Sequence, residues 1–185
     1  MANIADDITE LVGNTPLLRL HKFEKEAGFE GKILAKLEVF NPTGSVKDRI
    51  AKNMIEQAER DGRLKPGGTI IEATSGNTGI GLAAIAAAKG YQAVIVMPDS
   101  MSKERIRILE AYGAKVVLTP GEKNMGGANE KAAEILEQTE NAIITGQGGN
   151  PSNPEAHYQT TGPEIWKDTG ENVDIFVATV GTGGT

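Results

Sequence analysis

The sequence predicts an α/β fold in which open, mostly parallel sheets carry helices on both faces. Short apolar segments typical of strands alternate along the chain with segments whose apolar residues recur at helical spacing. Such alternation is typical of parallel sheets. Glycine accounts for 23 of the 185 residues, against a usual share of about 7%. This excess indicates tight turns, or loops whose backbone approaches a ligand closely.

The first predicted elements are two short strands and a helix. The apolar residues 17–20 and 33–37 flank a polar stretch, and these two segments could pair as strands. Over residues 46–60 the apolar residues recur at helical spacing, and Asp61-Gly62 marks the end of the predicted helix.

The next elements repeat the order of strand and helix. Residues 69–73 are apolar and predict a strand, which is followed by an alanine-rich helix over residues 78–89 that Gly90 ends. The segments after this helix follow the same two periodicities. They predict a strand at 94–97, a helix over 102–112, a strand at 116–118, a helix over 127–138 and a strand at 142–145.

A domain boundary is predicted between residues 146 and 154, where glycine and proline interrupt both periodicities. A helix is predicted over 155–167, with an interruption near Gly162-Pro163, and a strand over 173–180. This strand is apolar on both faces, as buried parallel strands are. Because no helix follows it, we expect the chain to be a truncated, N-terminal portion of a longer protein.

Composition and charge exclude several classes of function. The 19 basic and 25 acidic residues give a net charge of −6 without any basic cluster, which argues against nucleic-acid binding. The longest apolar run, residues 83–88, is far short of the ~20 residues of a membrane span. Residues 1–10 lack the layout of a signal peptide, so a cytoplasmic location is expected. With no cysteine and two distant histidines, His21 and His157, a metal site is not expected.

The first segment with a chemical signature is a turn at residues 41–49 that opens a helix with Lys47 in its first turn. Cations are favoured at the opposite end of a helix, and a lysine amine is the group that nucleophilic or Schiff-base chemistry needs. Taken alone, this segment fits a solvated surface lysine better, because most lysines are surface charges.

Two glycine-rich segments could bind anions. Residues 74–79 combine backbone N–H groups, hydroxyls and an amide at a predicted helix N-terminus, which suits a carboxylate or a phosphate. A helix-capping turn whose hydroxyls bond only to backbone is the alternative. Residues 181–185 offer consecutive amides that could bind a phosphate. A truncated dinucleotide-binding motif would have a similar sequence.

Together, a lysine nucleophile and two anion-binding turns on an open α/β sheet favour an enzyme that uses pyridoxal 5′-phosphate (PLP). The lysine would hold the aldehyde, one turn the cofactor phosphate, and the other turn the substrate carboxylate. The sequence has no G-x-S-x-G motif or recognisable Ser–His–Asp arrangement, and Leu82 stands where a P-loop would have its lysine.

Five segments, in order, resemble those of the cysteine synthase (O-acetylserine sulfhydrylase) family of tryptophan-synthase-β-like PLP enzymes. They span residues 11–17, 41–49, 74–79, 160–166 and 181–185. The resemblance implies PLP fold type II with two domains, of which the large one is incomplete here. Its three parts would be residues 1–42 of the large domain, a small mobile domain at 43–149, and the start of the remaining large domain at 150–185.

The resemblance also implies a role for each site residue. Lys47 would form the internal aldimine with PLP, and Asn77 would bond to the hydroxyl oxygen of the cofactor ring. The residues that would hold the substrate are Thr74, Ser75, Gly76, Asn77, Thr78 and Gln147. The residues that would bind the cofactor phosphate are Gly181, Thr182, Gly183, Gly184 and Thr185.

The implied activity is β-replacement of O-acetyl-L-serine with sulfide, which gives L-cysteine and acetate through an aminoacrylate. Lys47 would remove and return the Cα proton. The resemblance further implies a homodimer and docking of the C-terminal tail of serine acetyltransferase at the carboxylate turn. Alternatives within the fold are a cystathionine β-synthase and a serine/threonine dehydratase. The alternative from another class is a non-catalytic chain that binds this tail.

One departure from the family concerns the residue after Gln147. The family typically has phenylalanine there, whereas this chain has Gly148-Gly149. A missing ring would enlarge this part of the pocket. We therefore hypothesise a second substrate bulkier than sulfide, such as another thiol or an amine.

Overall fold

The computed structural model describes residues 4–185, so residues 1–3 of the first predicted segment lie outside the described residues. The strands are β1 (Leu17–Arg19), β2 (Leu34–Lys36), β3 (Thr69–Ala73), β4 (Gln92–Pro98), β5 (Lys115–Thr119) and β6 (Ala142–Ile144). The α-helices are α1 (His21–Glu26), α2 (Lys47–Arg60), α3 (Asn77–Lys89), α4 (Lys103–Ala111), α5 (Asn124–Glu137), α6 (Ser152–Ala156) and α7 (Gly162–Asp168). Short 3₁₀ turns lie at Ile8–Leu11, Glu38–Phe40 and Gly121–Lys123.

The strands form two sheets. Four of them make a parallel sheet in the order β5-β4-β3-β6, in which Ile70 of β3 lies between Ala93 and Ile143. The other two, β1 and β2, pair antiparallel with Leu18 opposite Ala35. The mostly parallel sheet and the pairing of the first two segments are therefore confirmed.

Helices cover both faces of the parallel sheet, as predicted. Ile70 and Ile95 point to the face on which α2, α3 and α4 pack. Ile71 and Val96 point to the opposite face, where they pack against Ala128 of α5. Successive strand residues thus enter two separate cores, which explains why the central strands are apolar at nearly every position.

The close approach of α2 to α3 depends on Gly81. A Cβ atom at this position would lie 3.2 Å from Ala51 Cβ and 3.3 Å from both Asp48 Oδ1 and the Lys47 carbonyl oxygen. The first turn of α2 therefore rests directly on the backbone of α3, near the start of that helix. This contact holds Lys47 beside the carboxyl end of the parallel sheet.

The helix predicted over 155–167 is present but interrupted. A π-helical turn, His157–Thr161, joins α6 to α7 and lies immediately before Gly162-Pro163. Proline has no N–H to donate to the preceding turn, so the helical pattern widens there. The predicted interruption is confirmed, one turn earlier than expected.

The strand predicted over 173–180 is wrong. The segment has no regular structure, and Ile175, Val177 and Val180 are 78%, 86% and 88% exposed. A strand needs a neighbouring strand to complete its hydrogen bonds, and none of the strands within residues 4–185 pairs with this segment. The apolar sequence pattern carries no information about whether such a partner is present.

Candidate active site

The turn after β3 presents donors at the start of α3. Gly76 is the N-cap residue of α3, and no side chain caps the helix by a hydrogen bond. The Ser75 carbonyl accepts a hydrogen bond of 2.6 Å from Arg105 Nη1, which ties the turn to α4. Because first-turn N–H groups have no partner within a helix, those of α3 are available to an anion.

The loop after β6 lies beside this turn because β3 and β6 are parallel neighbours. Thr78 Oγ1 donates a hydrogen bond of 2.6 Å to Gln147 Oε1 across the two loops. The chain leaves β3 toward β4 on one side and returns to β6 on the other. Ligands of open α/β sheets bind in the crevice that such a reversal of strand order creates.

Lys47 reaches the same edge of the sheet from α2. Its backbone N–H donates to Ser45 Oγ at 3.1 Å. The buried carboxylate of Asp48 accepts hydrogen bonds from the backbone and hydroxyl of Thr43, which fixes the preceding turn. Burial raises the pKa of Asp48, although these hydrogen bonds oppose the change. Within residues 4–185, the Lys47 amine has no hydrogen-bond or ion-pair partner.

These three segments surround one cleft of about 460 Å³. Seven predicted site residues line it: Lys47, Thr74, Ser75, Gly76, Asn77, Thr78 and Gln147. Ala73, Arg105 and Met125 complete the lining. Two cations and no carboxylate therefore face the cleft among the described residues, so its charge favours an anionic ligand.

The terminal segment 181–185 does not line this cleft but is connected to it. The buried Asn153 donates through Nδ2 to the Gln147 carbonyl at 2.9 Å and to Thr182 Oγ1 at 3.0 Å. Thr185 Oγ1 lies 3.4 Å from His157 Nε2. A Cβ atom at Gly184 would overlap Asn153, so glycine is needed for this approach.

His157 is a buried hydrogen-bonding residue. Its Nδ1 lies 2.9 Å from Thr161 Oγ1. Burial lowers the pKa of His157, and the positive charges of Arg49 and Lys47 lower it further. The ring is therefore neutral at pH 7.

Sequence reasoning missed four residues that shape the site. Glu72 accepts hydrogen bonds from the loop after β6, and Arg105 bonds to the turn after β3. Asn153 and His157 contact the terminal segment. Each acts across at least 28 residues of sequence, and no local pattern predicts such contacts. A buried polar residue in an otherwise apolar strand, as at Glu72, is the one signal that was available.

A larger cleft of about 570 Å³ lies beside the edge strand β6. Its charged lining residues are Asp61, Arg63 and Glu155, and none of the predicted site residues faces it. Within the part of the chain that the structure describes, no cluster of three or more potential ligand side chains could hold a metal ion. No helix there is both long enough and apolar enough to cross a membrane.

The donors around the smaller cleft fit PLP. The Lys47 amine is free to bond to an aldehyde carbon, and the amide of Asn77 faces the same space. A Cβ atom at Gly181 would meet no heavy atom within 4 Å, so the terminal backbone leaves room for a group such as phosphate. The neutral hydroxyls and helix N–H groups suit an anionic substituent better than a cationic one.

Comparison with known proteins agrees with this chemistry. Residues 8–185 match the family described as "Pyridoxal-phosphate dependent enzyme". The chain is 54% identical to a probable cysteine synthase of Bacillus subtilis, covering 100% of this chain and 60% of that protein.

Solved structures give the same result. The cysteine synthase of Entamoeba histolytica superposes with a TM-score of 0.93 at 47% identity, covering 98% of this chain and 54% of that one. An O-ureido-L-serine synthase superposes with a TM-score of 0.91 at 44% identity, over 98% and 56% of the two chains. The fold is thus PLP fold type II, and the chain spans less than two thirds of each of these relatives. With the family match extending over nearly all of its length, this chain belongs to the pyridoxal-phosphate dependent enzymes.

Proposed function

We propose that this chain carries the cofactor- and substrate-binding residues of a cysteine synthase. The reaction is β-replacement of O-acetyl-L-serine with sulfide, which gives L-cysteine and acetate. One observation carries the proposal: the unpaired amine of Lys47 shares a cleft with the turn after β3 and with Gln147. The names of relatives at 54% and 52% identity support the same reaction.

PLP, when bound, withdraws electrons from the Cα atom of an attached amino acid, so that a Cα proton and a Cβ substituent can leave. Lys47 binds the cofactor aldehyde through Nζ in this proposal. The same amine, once released by the substrate, accepts the Cα proton and later returns it. One side chain thus acts as nucleophile, base and acid, which explains why no histidine or cysteine is needed in these roles.

The substrate carboxylate binds at the start of α3. Thr74, Ser75, Gly76 and Thr78 supply donors there, and the positive end of the helix attracts the negative charge. Since Gln147 Oε1 already accepts from Thr78, its Nε2 group is left to donate to the ligand. Asn77 faces the cleft and bonds to the cofactor ring.

The cofactor phosphate binds at residues 181–185. Gly181, Thr182, Gly183, Gly184 and Thr185 provide backbone and hydroxyl donors. Asn153 and His157 support this segment through Thr182 and Thr185. Asn153 also bonds to the Gln147 carbonyl, so one amide joins the phosphate and carboxylate sides.

Assembly and location are further proposals that rest on the family resemblance. The whole protein would be a cytoplasmic homodimer whose small domain, residues 43–149, closes over the substrate. The tail of serine acetyltransferase would dock at the turn after β3, where its carboxylate replaces that of the substrate. The alternatives, a cystathionine β-synthase or a serine/threonine dehydratase, would use the same cleft with a different second substrate or none.

The experiment is cysteine formation from O-acetylserine and sulfide by the chain supplied with PLP. We expect activity in the wild-type chain and none in Lys47→Ala. Lys52→Ala is the matched control, because Lys52 lies on the same helix and bonds to the Thr9 carbonyl. Activity that survives in Lys47→Ala, or is absent from the wild-type chain, would contradict the proposal.

A further inference from the structure

Glu72 is a buried carboxylate in the central strand β3. It is 3% exposed, and no cation within residues 4–185 forms an ion pair with it. A buried charge of this kind is unfavourable unless hydrogen bonds replace its lost hydration. Glu72 meets this need entirely with groups from the loop after β6.

Three consecutive residues of that loop donate to the Glu72 carboxylate. Thr145 Oγ1 donates to Oε2 at 2.6 Å, and the Gly146 N–H donates to the same oxygen at 2.7 Å. The Gln147 N–H donates to Oε1 at 3.3 Å. Gly146 has a φ of +59°, a conformation that glycine adopts readily, and this turn aims all three donors at one group.

Gln147 is thereby fixed at three points. Its N–H bonds to Glu72 of β3, its carbonyl accepts from Asn153 of α6, and its side chain accepts from Thr78 of α3. The strand that precedes it, β6, has only three residues and pairs on one side only. So short an edge strand cannot define the position of the following loop alone, and the contact with Glu72 supplies the missing restraint.

We infer that Glu72 is a positioning residue that holds Gln147 at the cleft for carboxylate binding. This inference rests on the proposed function, since it assigns Gln147 to the substrate. It also explains which donors remain for a ligand. The Gly146 and Gln147 N–H groups are occupied by Glu72, so the loop offers the Gln147 side chain and not its backbone.

The first test is amide hydrogen exchange in the chain without ligands. In Glu72→Ala we expect exchange at Gly146 and Gln147 to accelerate by about tenfold or more, since each loses a hydrogen bond. Exchange in β4 should stay unchanged. Glu72→Gln and Thr145→Val keep the side-chain volume and guard against misfolding, and both should give smaller accelerations at the same two amides. Unchanged exchange at Gly146 and Gln147 in all three variants would overturn the inference.

The second test separates positioning from general destabilisation. With PLP supplied, we expect the KM for O-acetylserine to rise about tenfold in Glu72→Ala, with the visible absorption of the bound cofactor unchanged. A role limited to stability would lower kcat with the folded fraction and leave KM as it was, which would overturn the inference. Glu59→Gln is the matched control, because Glu59 bonds to Lys89 and Tyr91 away from the cleft.

The two tests distinguish the inference from the proposed function. A wild-type chain that forms no cysteine overturns the function, while amide exchange still decides whether Glu72 holds the loop. Conversely, an active enzyme with unchanged exchange and KM in Glu72→Ala overturns only the role of Glu72.

Discussion

At the scale of single residues, the cations in the first half of α2 differ in what they contact. Arg49 is buried and donates to Glu38 and Glu164. Lys52 Nζ donates to a backbone carbonyl at 3.0 Å. Lys47 is half-buried and lines the cleft, and its amine has no such partner in the described chain. Its freedom from structural contacts leaves this amine available to a ligand.

The residue after Gln147 should control the size of the second substrate. A Cβ atom at Gly148 would meet no heavy atom within 4 Å, so a large side chain can be added there without a clash at its base. We expect Gly148→Phe to lower kcat/KM for thiols or amines larger than sulfide by about tenfold relative to sulfide itself. Steady-state rates with both nucleophiles measure this ratio, and an unchanged ratio would contradict the hypothesis of a bulkier substrate.

At the scale of elements, the site depends on where β3 lies in the sheet. Its neighbours β4 and β6 carry the chain away on opposite sides, so the turn after β3 and the loop after β6 meet at one crevice. The helix α2 adds Lys47 from a third direction. None of the three elements alone forms a site, and their contacts at Gly81 and between Thr78 and Gln147 bring them together.

Gly81 should therefore affect cofactor binding without touching the cofactor. In Gly81→Leu the new side chain must displace the first turn of α2, which we expect to cost about 1–3 kcal/mol of unfolding free energy and to weaken PLP binding. Chemical denaturation and PLP titration measure the two effects. Gly126→Leu is the matched control, because a Cβ atom at Gly126 on α5 meets nothing within 4 Å. Equal effects of the two substitutions would contradict this account.

Elements with clear periodicity could be predicted from sequence, and their contacts could not. The helix predicted over 78–89 is α3, and Gly90 ends it with a φ of +76°, because helical spacing and a glycine stop are local signals. The predicted strand at 173–180 failed because pairing depends on a distant partner. The cleft residues were predicted from local motifs, whereas the bonds from Glu72 and Asn153 to Gln147 depend on the assembled fold.

At the scale of the whole molecule, a buried ion network joins distant parts of the chain. Arg49 bonds to Glu38 before α2 and to Glu164 of α7, at N–O distances of 2.6–2.8 Å. Lys36 Nζ lies 2.8 Å from Glu164 Oε2. The network links β2, the helix that carries Lys47, and α7. It therefore stabilises the framework on which the cleft depends.

This network should make the protein sensitive to acid. Burial alone would raise the pKa of Glu164, but hydrogen bonds from Arg49 and Lys36 outweigh it and lower the pKa to about 2. Because this value lies below the usual 4.5, the stabilisation is present above about pH 4.5 and is lost as the pH falls toward 2. The lost contribution amounts to about 3 kcal/mol.

Urea unfolding between pH 6 and pH 3 measures this effect. We expect the free energy of unfolding to fall less steeply with pH in Glu164→Gln than in the wild-type chain, because the variant has already lost this carboxylate at neutral pH. Parallel pH dependences in the two proteins would show that Glu164 is not a source of the acid sensitivity.

The central claim, that Lys47 is the residue that binds PLP, can be tested directly by chemical trapping. The chain is mixed with PLP and treated with borohydride, which reduces a Schiff base to a stable amine, and its peptides are then analysed by mass spectrometry. The account predicts that the cofactor is attached to Lys47 and that Lys47→Ala takes up none. Attachment at another lysine, such as Lys36 or Lys52, or no attachment in the wild-type chain, would contradict it.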